Sequence, residues 1–168
     1  MRPISSSISI LGPLEVSVAG MPVALPAKQR TLLAILTLHA NRPVTLDRLA
    51  EAIWGQDSSP GVVRTLQSHV FQLRRALTRA GNAHDETLHI VTEGSAYRLE
   101  VDSAAVDAEV FLGLLHAARG DGADDHRAAL LLTQALACWR GPRVADFGDE
   151  PAAMAEASAR AEFAATLS

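Results

Sequence analysis

The sequence predicts an α+β domain of about 100 residues followed by an all-α segment. Three observations predict it. Residues 8–25 alternate apolar and polar side chains with period two. From residue 26 the period becomes that of an α-helix and holds through three successive helices. Residues 88–101 then return to alternation around a Gly-Ser turn, and beyond residue 107 only helical periodicity remains.

In ISILGPLEVSVAGMPVAL, Leu14, Val16 and Val18 share one face, and Glu15 and Ser17 share the other. Gly20 and Pro22 mark a reversal, and Val23 and Leu25 resume the pattern. This gives an antiparallel sheet of two or three short strands. PAKQRTLLAILTLHAN opens the first helix with Pro26 at its first position and ends at Asn41. Leu32, Leu33, Ile35 and Leu36 form its broad apolar face. After a Pro43-Val44 link, TLDRLAEAIWG gives a second helix, capped by Thr45 and stopped by Gly55. Asp47 lies in its first turn, and Leu46, Leu49, Ala50 and Ile53 fall on one face. Trp54 is expected to pack where that helix ends.

In the loop QDSSPG, Ser58 or Ser59 can cap a third helix that starts at Pro60 and runs to about residue 80. GNAHDE is a loop. LHIVTEGSAYRLEV reads as two strands, with Tyr97, Leu99 and Val101 on one face and Arg98 and Glu100 on the other. A helix-turn-helix closed by a β-hairpin is a winged helix. The tail DAEVFLGLLHAAR, DDHRAALLLTQALACWRG and a helix over about 152–167 form paired helices of an all-α, TPR-like kind. The expected boundaries are a flexible 1–7, a winged helix over 8–103 and a helical domain over 104–168.

The net charge of −4 argues against nucleic acid when taken alone, but its distribution does not. Residues 1–106 carry ten basic and nine acidic side chains, while residues 107–168 carry five and ten. Within 60–80 stand Arg64, Arg74, Arg75 and Arg79 with no acid among them. The acidic half therefore masks a local basic patch.

The third helix holds that patch, in RTLQSHVFQLRRAL at residues 64–77. At 100° per residue, Leu66, Val70, Leu73 and Leu77 form one seam. Arg64, Ser68, Arg75 and Arg79 lie opposite, with Phe71 and Gln72 at the edges. Thr65 and His69 flank the seam on one side, Gln67 and Arg74 on the other. An exposed charged face is one reading, but solvated faces usually mix signs. A DNA-gripping face is the other. Phe71 either packs on a thymine methyl in a major groove or is buried against the wing or a neighbouring protomer.

The same residues carry a family resemblance. RTLQSHVFQLRRAL resembles the recognition helix of OmpR-type winged helices, in which an arginine opens the helix and a Leu-Arg-x-x-Leu run closes it. ILGPLEV, PAKQRTLLAILTLHANRPV, LDRLAEAIWG and IVT…YRL extend the similarity to the Streptomyces antibiotic regulatory protein (SARP) family. VDAEVF, ALACWRGPRVADF and AEASARAEF resemble the start of that family's bacterial transcriptional activation domain.

The resemblance implies an activator of antibiotic biosynthesis genes that binds direct repeats in double-stranded DNA as side-by-side protomers and recruits RNA polymerase holoenzyme. It implies DNA contacts from Arg64, Thr65, Ser68, His69, Phe71, Gln72, Arg74, Arg75 and Arg79, and from Thr92, Ser95 and Arg98 of the wing. Arg64 and Arg74 are expected on phosphate, and Ser68, Phe71 and Gln72 on bases. By the same analogy Gln56, Asp57, Ser58 and Ser59 either contact polymerase or form a plain capped turn. Family members continue the helical domain past this point, so the tail is expected to pack on the winged helix or on a second protomer. One departure stands out. The family's wing tip usually reads Thr-Arg-Pro-Pro-Gly-Tyr, and here Glu93 stands where the arginine would reach the minor groove. A carboxylate cannot donate to base edges, so the wing is expected to contribute little.

No catalytic or cofactor signature assembles. The six histidines are scattered without metal-ligand spacing, and there is no phosphate-cradling Gly-Lys-Ser loop or GxSxG elbow. Asp121, Asp124, Asp125 and His126 lack the alternation of a calcium loop and read as a helix N-cap. Cys138 excludes an internal disulfide and is expected in the core. No signal core or transmembrane run is visible, which fits the cytoplasm. The competing functions are a protein-interaction scaffold and a DNA-binding repressor.

Overall fold

The computed structural model describes residues 6–56, 59–81, 88–120, 122 and 124–141. Three short strands, β1 (Ser7–Ser9), β2 (Glu15–Val18) and β3 (Met21–Pro22), form the antiparallel sheet expected at the N-terminus, in the order β1-β2-β3. Val18 pairs with Met21 across a two-residue turn at Ala19 and Gly20, whose φ angles of 51° and 75° are those of a tight hairpin.

Helix α1 (Ala27–Leu38) buries Leu32, Leu33, Ile35 and Leu36, and Pro26 occupies the N-cap, one residue before its expected place. Asn41, at φ 62°, ends the turn and stitches it to the wing. Its amide donates to the Val101 carbonyl at 2.9 Å and accepts from the Val101 N–H at 3.0 Å. Helix α2 (Leu46–Trp54) is capped by the Thr45 hydroxyl, which accepts from the Arg48 N–H at 3.3 Å. Gly55, at φ 74°, closes it.

Helix α3 (Gly61–Ala80) buries the predicted seam of Leu66, Val70, Leu73 and Leu77 completely, together with Val62. It packs on α1, α2, β2 and β5. The expected serine cap is a correction. Pro60 is the N-cap and its own helical backbone carries the chain into the first turn. Ser59 contributes only its carbonyl, which accepts from the Val62 N–H, and Ser58 lies outside the described residues.

The wing also differs from expectation. Strands β5 (Leu88–Glu93) and β6 (Ala96–Val101) form the predicted hairpin, but the Pro43-Val44 link contributes a third strand, β4 (Val44–Thr45). The sheet order is β4-β6-β5, with Val44 opposite Tyr97 and Thr45 opposite Ala96. The Leu46 N–H also donates to the Ser95 carbonyl at 3.0 Å, so the start of α2 is pinned to the wing turn.

A 3-10 turn (Ser103–Ala105) leads into α4 (Asp107–Arg119) and α5 (Asp125–Ala137), which pack on each other. Asp124 caps α5, accepting from the Arg127 N–H at 2.7 Å. The expected helix over 152–167, and the loop before it, lie outside the described residues.

The described part of the tail packs on the winged helix and not apart from it. The Asp107 carboxylate accepts from the backbone N–H groups of Ile10 and Leu11 at 2.8 and 3.0 Å. From the far end of α5, the Arg140 N–H donates to the Leu11 carbonyl and its guanidinium to the Pro13 carbonyl and the Glu15 carboxylate. The β1–β2 loop is thus held from both sides. Gly12 sits at φ 138° between them, where an added Cβ would come within 3.0 Å of Arg140 Cβ. One continuous buried cluster runs from Ile8 through Phe111 to Ala135, and Trp139 meets Phe111 edge-on.

Replacing Asp107 by alanine should lower stability by about 1–3 kcal/mol, because two buried backbone donors lose their acceptor. Arg75→Ala, on the exposed face, should stay within about 0.5 kcal/mol of the parent. Urea unfolding of the two variants checks both values.

Candidate nucleic-acid interface

The buried seam of α3 dictates what its other side presents. Arg64, Ser68, Phe71, Arg75 and Arg79 are all exposed. The guanidiniums of Arg64, Arg75 and Arg79 have no hydrogen-bond or ion-pair partner among the described residues. Phe71 is 60% exposed, so it is not buried against the wing. An apolar ring amid unpaired guanidiniums on a convex helix gains nothing from water. Thr65 and Ser68 donate their hydroxyl protons back to the Gly61 and Arg64 carbonyls at 3.0 and 3.1 Å. Each keeps free lone pairs, so each is disposed to accept from a ligand more than to donate.

The two flanks of this face are anchored. On the wing side, Arg74 donates from Nε to the Ile90 carbonyl at 2.9 Å and from a terminal nitrogen to Thr92 Oγ1 at 2.8 Å. Its guanidinium lies 5.5 Å from the ring centre of buried Tyr97. The sequence reading placed Arg74 on phosphate. The structure places it as a strut between α3 and β5, because the hairpin lies within reach and offers two acceptors and an aromatic face. Thr92, whose oxygen accepts from Arg74, keeps its own proton for an outside acceptor.

On the other flank, His69 turns toward α2, where its ring lies 5.9 Å from that of Trp54. Lys28 lies over the same indole at 5.8 Å. Burial, and to a lesser degree the Lys28 charge, hold the His69 imidazole below the ordinary histidine value of 6.5. The His69 imidazole is thereby biased toward its neutral form and adds little positive charge to the patch. Gln72 Oε1 accepts from Nε2 of Gln29, a buried residue of α1, at 2.9 Å.

The wing tip is electrically self-satisfied. Arg98 pairs with Glu100 at 2.7 Å and approaches Glu93 at 3.5 Å, and His89 lies 2.7 Å from the second oxygen of Glu100. Arg98 was expected at the DNA backbone, and its guanidinium is engaged by carboxylates on its own hairpin. Ser95 is exposed at the turn beside Gly94, which adopts φ 60°.

Of the loop between α2 and α3, Asp57 and Ser58 lie outside the described residues. Gln56 and Ser59 are described, and they border an open notch of about 490 Å³ with Asp47, Glu51, Pro60 and Val63. Sequence reasoning missed Gln29, Lys28 and the acidic pair Asp47 and Glu51. Gln29 was detectable, since it precedes Leu33 and Leu36 at helical spacing and so falls on the apolar face of α1, where a polar group needs a partner.

A sheet, three helices and a winged hairpin, with an arginine-bearing third helix turned outward, define the winged-helix class of transcriptional regulators. Residues 20–99 match the family described as transcriptional regulatory protein, C terminal, and residues 106–167 match the bacterial transcriptional activator domain. The transcriptional regulator RedD of Streptomyces coelicolor is 35% identical over 150 residues, covering 84% of this chain and 41% of RedD. The regulatory protein DnrI of Streptomyces peucetius is 30% identical over 145 residues, covering 83% of this chain and 53% of DnrI. The structure of Mycobacterium tuberculosis EmbR in complex with a low-affinity phosphopeptide superposes with a TM-score of 0.77 at 30% identity, over 97% of this chain and 43% of that one. The chain belongs to the SARP family of transcriptional regulators. It spans about half or less of the length of these relatives. Among the described residues no helix is long and apolar enough to cross a membrane.

The His69 imidazole should titrate below 6.5 in NMR spectra of the folded protein. Its folded value is depressed, so its contribution to stability is present above 6.5 and is lost as pH falls below that value. His69→Gln should flatten that part of the stability profile.

Proposed function

We propose that this chain is a sequence-specific DNA-binding activator of transcription, directing secondary-metabolite genes, with α3 in the major groove. The observation that carries the reading is the outward face of α3. Three arginines whose side chains have no partner among the described residues, an exposed aromatic ring and two hydroxyls share a convex helix surface about the width of a groove. A docking scaffold would not require an acid-free stripe of this kind, and the stripe stands out as basic in a chain whose net charge is −4.

Arg64, Arg75 and Arg79 hold phosphates, and Ser68, Phe71 and Gln72 face base edges. Thr92 and Ser95 offer weaker backbone contacts from the wing. Protomers bind direct repeats side by side. RNA polymerase is met at the notch beside Gln56 and Ser59, whose acidic rim of Asp47 and Glu51 suits a basic surface.

With three arginines on this face meeting phosphate, the log–log dependence of affinity on salt should have a slope of roughly −3 per protomer. Binding to upstream DNA, followed by fluorescence anisotropy, should then weaken by roughly 40-fold between 50 and 200 mM salt. A flat response would exclude groove binding. Arg64→Ala should weaken all sequences alike, and Glu93→Arg should tighten binding by adding a cation at the wing tip and removing an acid beside Arg98.

A further inference from the structure

We propose that Gln29, buried in α1, is a positioning residue for base readout, because it fixes which end of the Gln72 side-chain amide faces the DNA. This rests on the reading of α3 as a recognition helix. Gln29 is 5% exposed and lies 43 residues from Gln72 in sequence. Its Nε2 donates to Gln72 Oε1 at 2.9 Å, the contact that joins the two side chains from α1 to the edge of α3's outward face.

The chemistry follows from that bond. A free glutamine reads adenine by donating to N7 and accepting from N6 at once. Here the carbonyl of Gln72 is turned inward to Gln29, and the amide nitrogen is left to point outward. A side chain held this way presents donors. It matches a base edge rich in acceptors, guanine N7 and O6 or thymine O4, and it gives up the paired contact with adenine. Gln29 is buried, so it does not reach a groove itself. Its effect on sequence preference is exerted wholly through Gln72.

The test is the base preference at the position facing Gln72, measured with the full chain on a panel of four duplexes that differ at that base pair. The parent should prefer guanine or thymine on the contacted strand. Gln29→Met, which keeps the buried volume, should release the carbonyl and shift preference toward adenine by about fivefold or more. Affinity for the other positions and the salt slope should not change. Gln29→Glu should turn the amide the other way, because a carboxylate accepts and does not donate, and should favour adenine or cytosine. In a Gln72→Ala background, Gln29→Met should have no effect on preference. Thermal unfolding of each variant confirms that folded proteins are compared, and the Glu variant stands in if the Met variant does not fold. An unchanged preference in both Gln29 variants, or a loss spread equally over all duplexes, would overturn the proposal while leaving DNA binding intact. A parent protein with no sequence preference at any position would overturn the recognition-helix reading and this inference with it.

Discussion

Burial of one apolar seam sets the rotation of α3, and most of the surface follows from that. Leu66, Val70, Leu73 and Leu77 are withdrawn from water against α1, α2 and the wing. Each contributes on the order of 1.5–3 kcal/mol by its removal from solvent. Turning the helix by a single residue step would expose these four and press a polar flank, Thr65 and His69 or Gln67 and Arg74, into the core, which costs far more than any surface contact returns. The exposed arginines and Phe71 therefore have no freedom to face elsewhere.

The flanks of the helix then divide the labour. Arg74 spans to β5 and rests on Tyr97, so the hairpin takes its angle from the helix. Gln72 and His69 lean the other way, toward Gln29 and Trp54. The wing pairs Arg98 with Glu100 and Glu93, and His89 Nε2 also meets Glu100. Arg64, Arg75 and Arg79 share the exposed face of α3, and their guanidiniums have no ion-pair partner among the described residues. The activator-domain helices are fixed to the same body through Asp107 and Arg140, so α4 and α3 belong to one continuous core.

Periodicity made much of this legible. The seam, the faces of β2 and β6, the Thr45 cap and the Asp124 cap are local patterns, and local patterns survive folding when the core agrees with them. What escaped was long-range. Two residues, Val44 and Thr45, carry too little alternation to announce a strand, and become one only because β6 lies beside them. Arg74 looks like its neighbour Arg75 in sequence, and only the position of the hairpin separates a strut from an exposed cation. Arg98 and Glu100 alternate outward as expected, but the pairing of Glu100 with His89 depends on strand register.

The central claim is that α3 meets DNA in the major groove and that the wing adds little in the minor groove. Dimethyl sulfate protection on a bound operator separates the two grooves directly, since guanine N7 lies in the major groove and adenine N3 in the minor. Protection should fall on guanine N7 within each repeat, with flanking adenine N3 still reactive. Protection confined to adenine N3, with guanine N7 fully reactive, would contradict it.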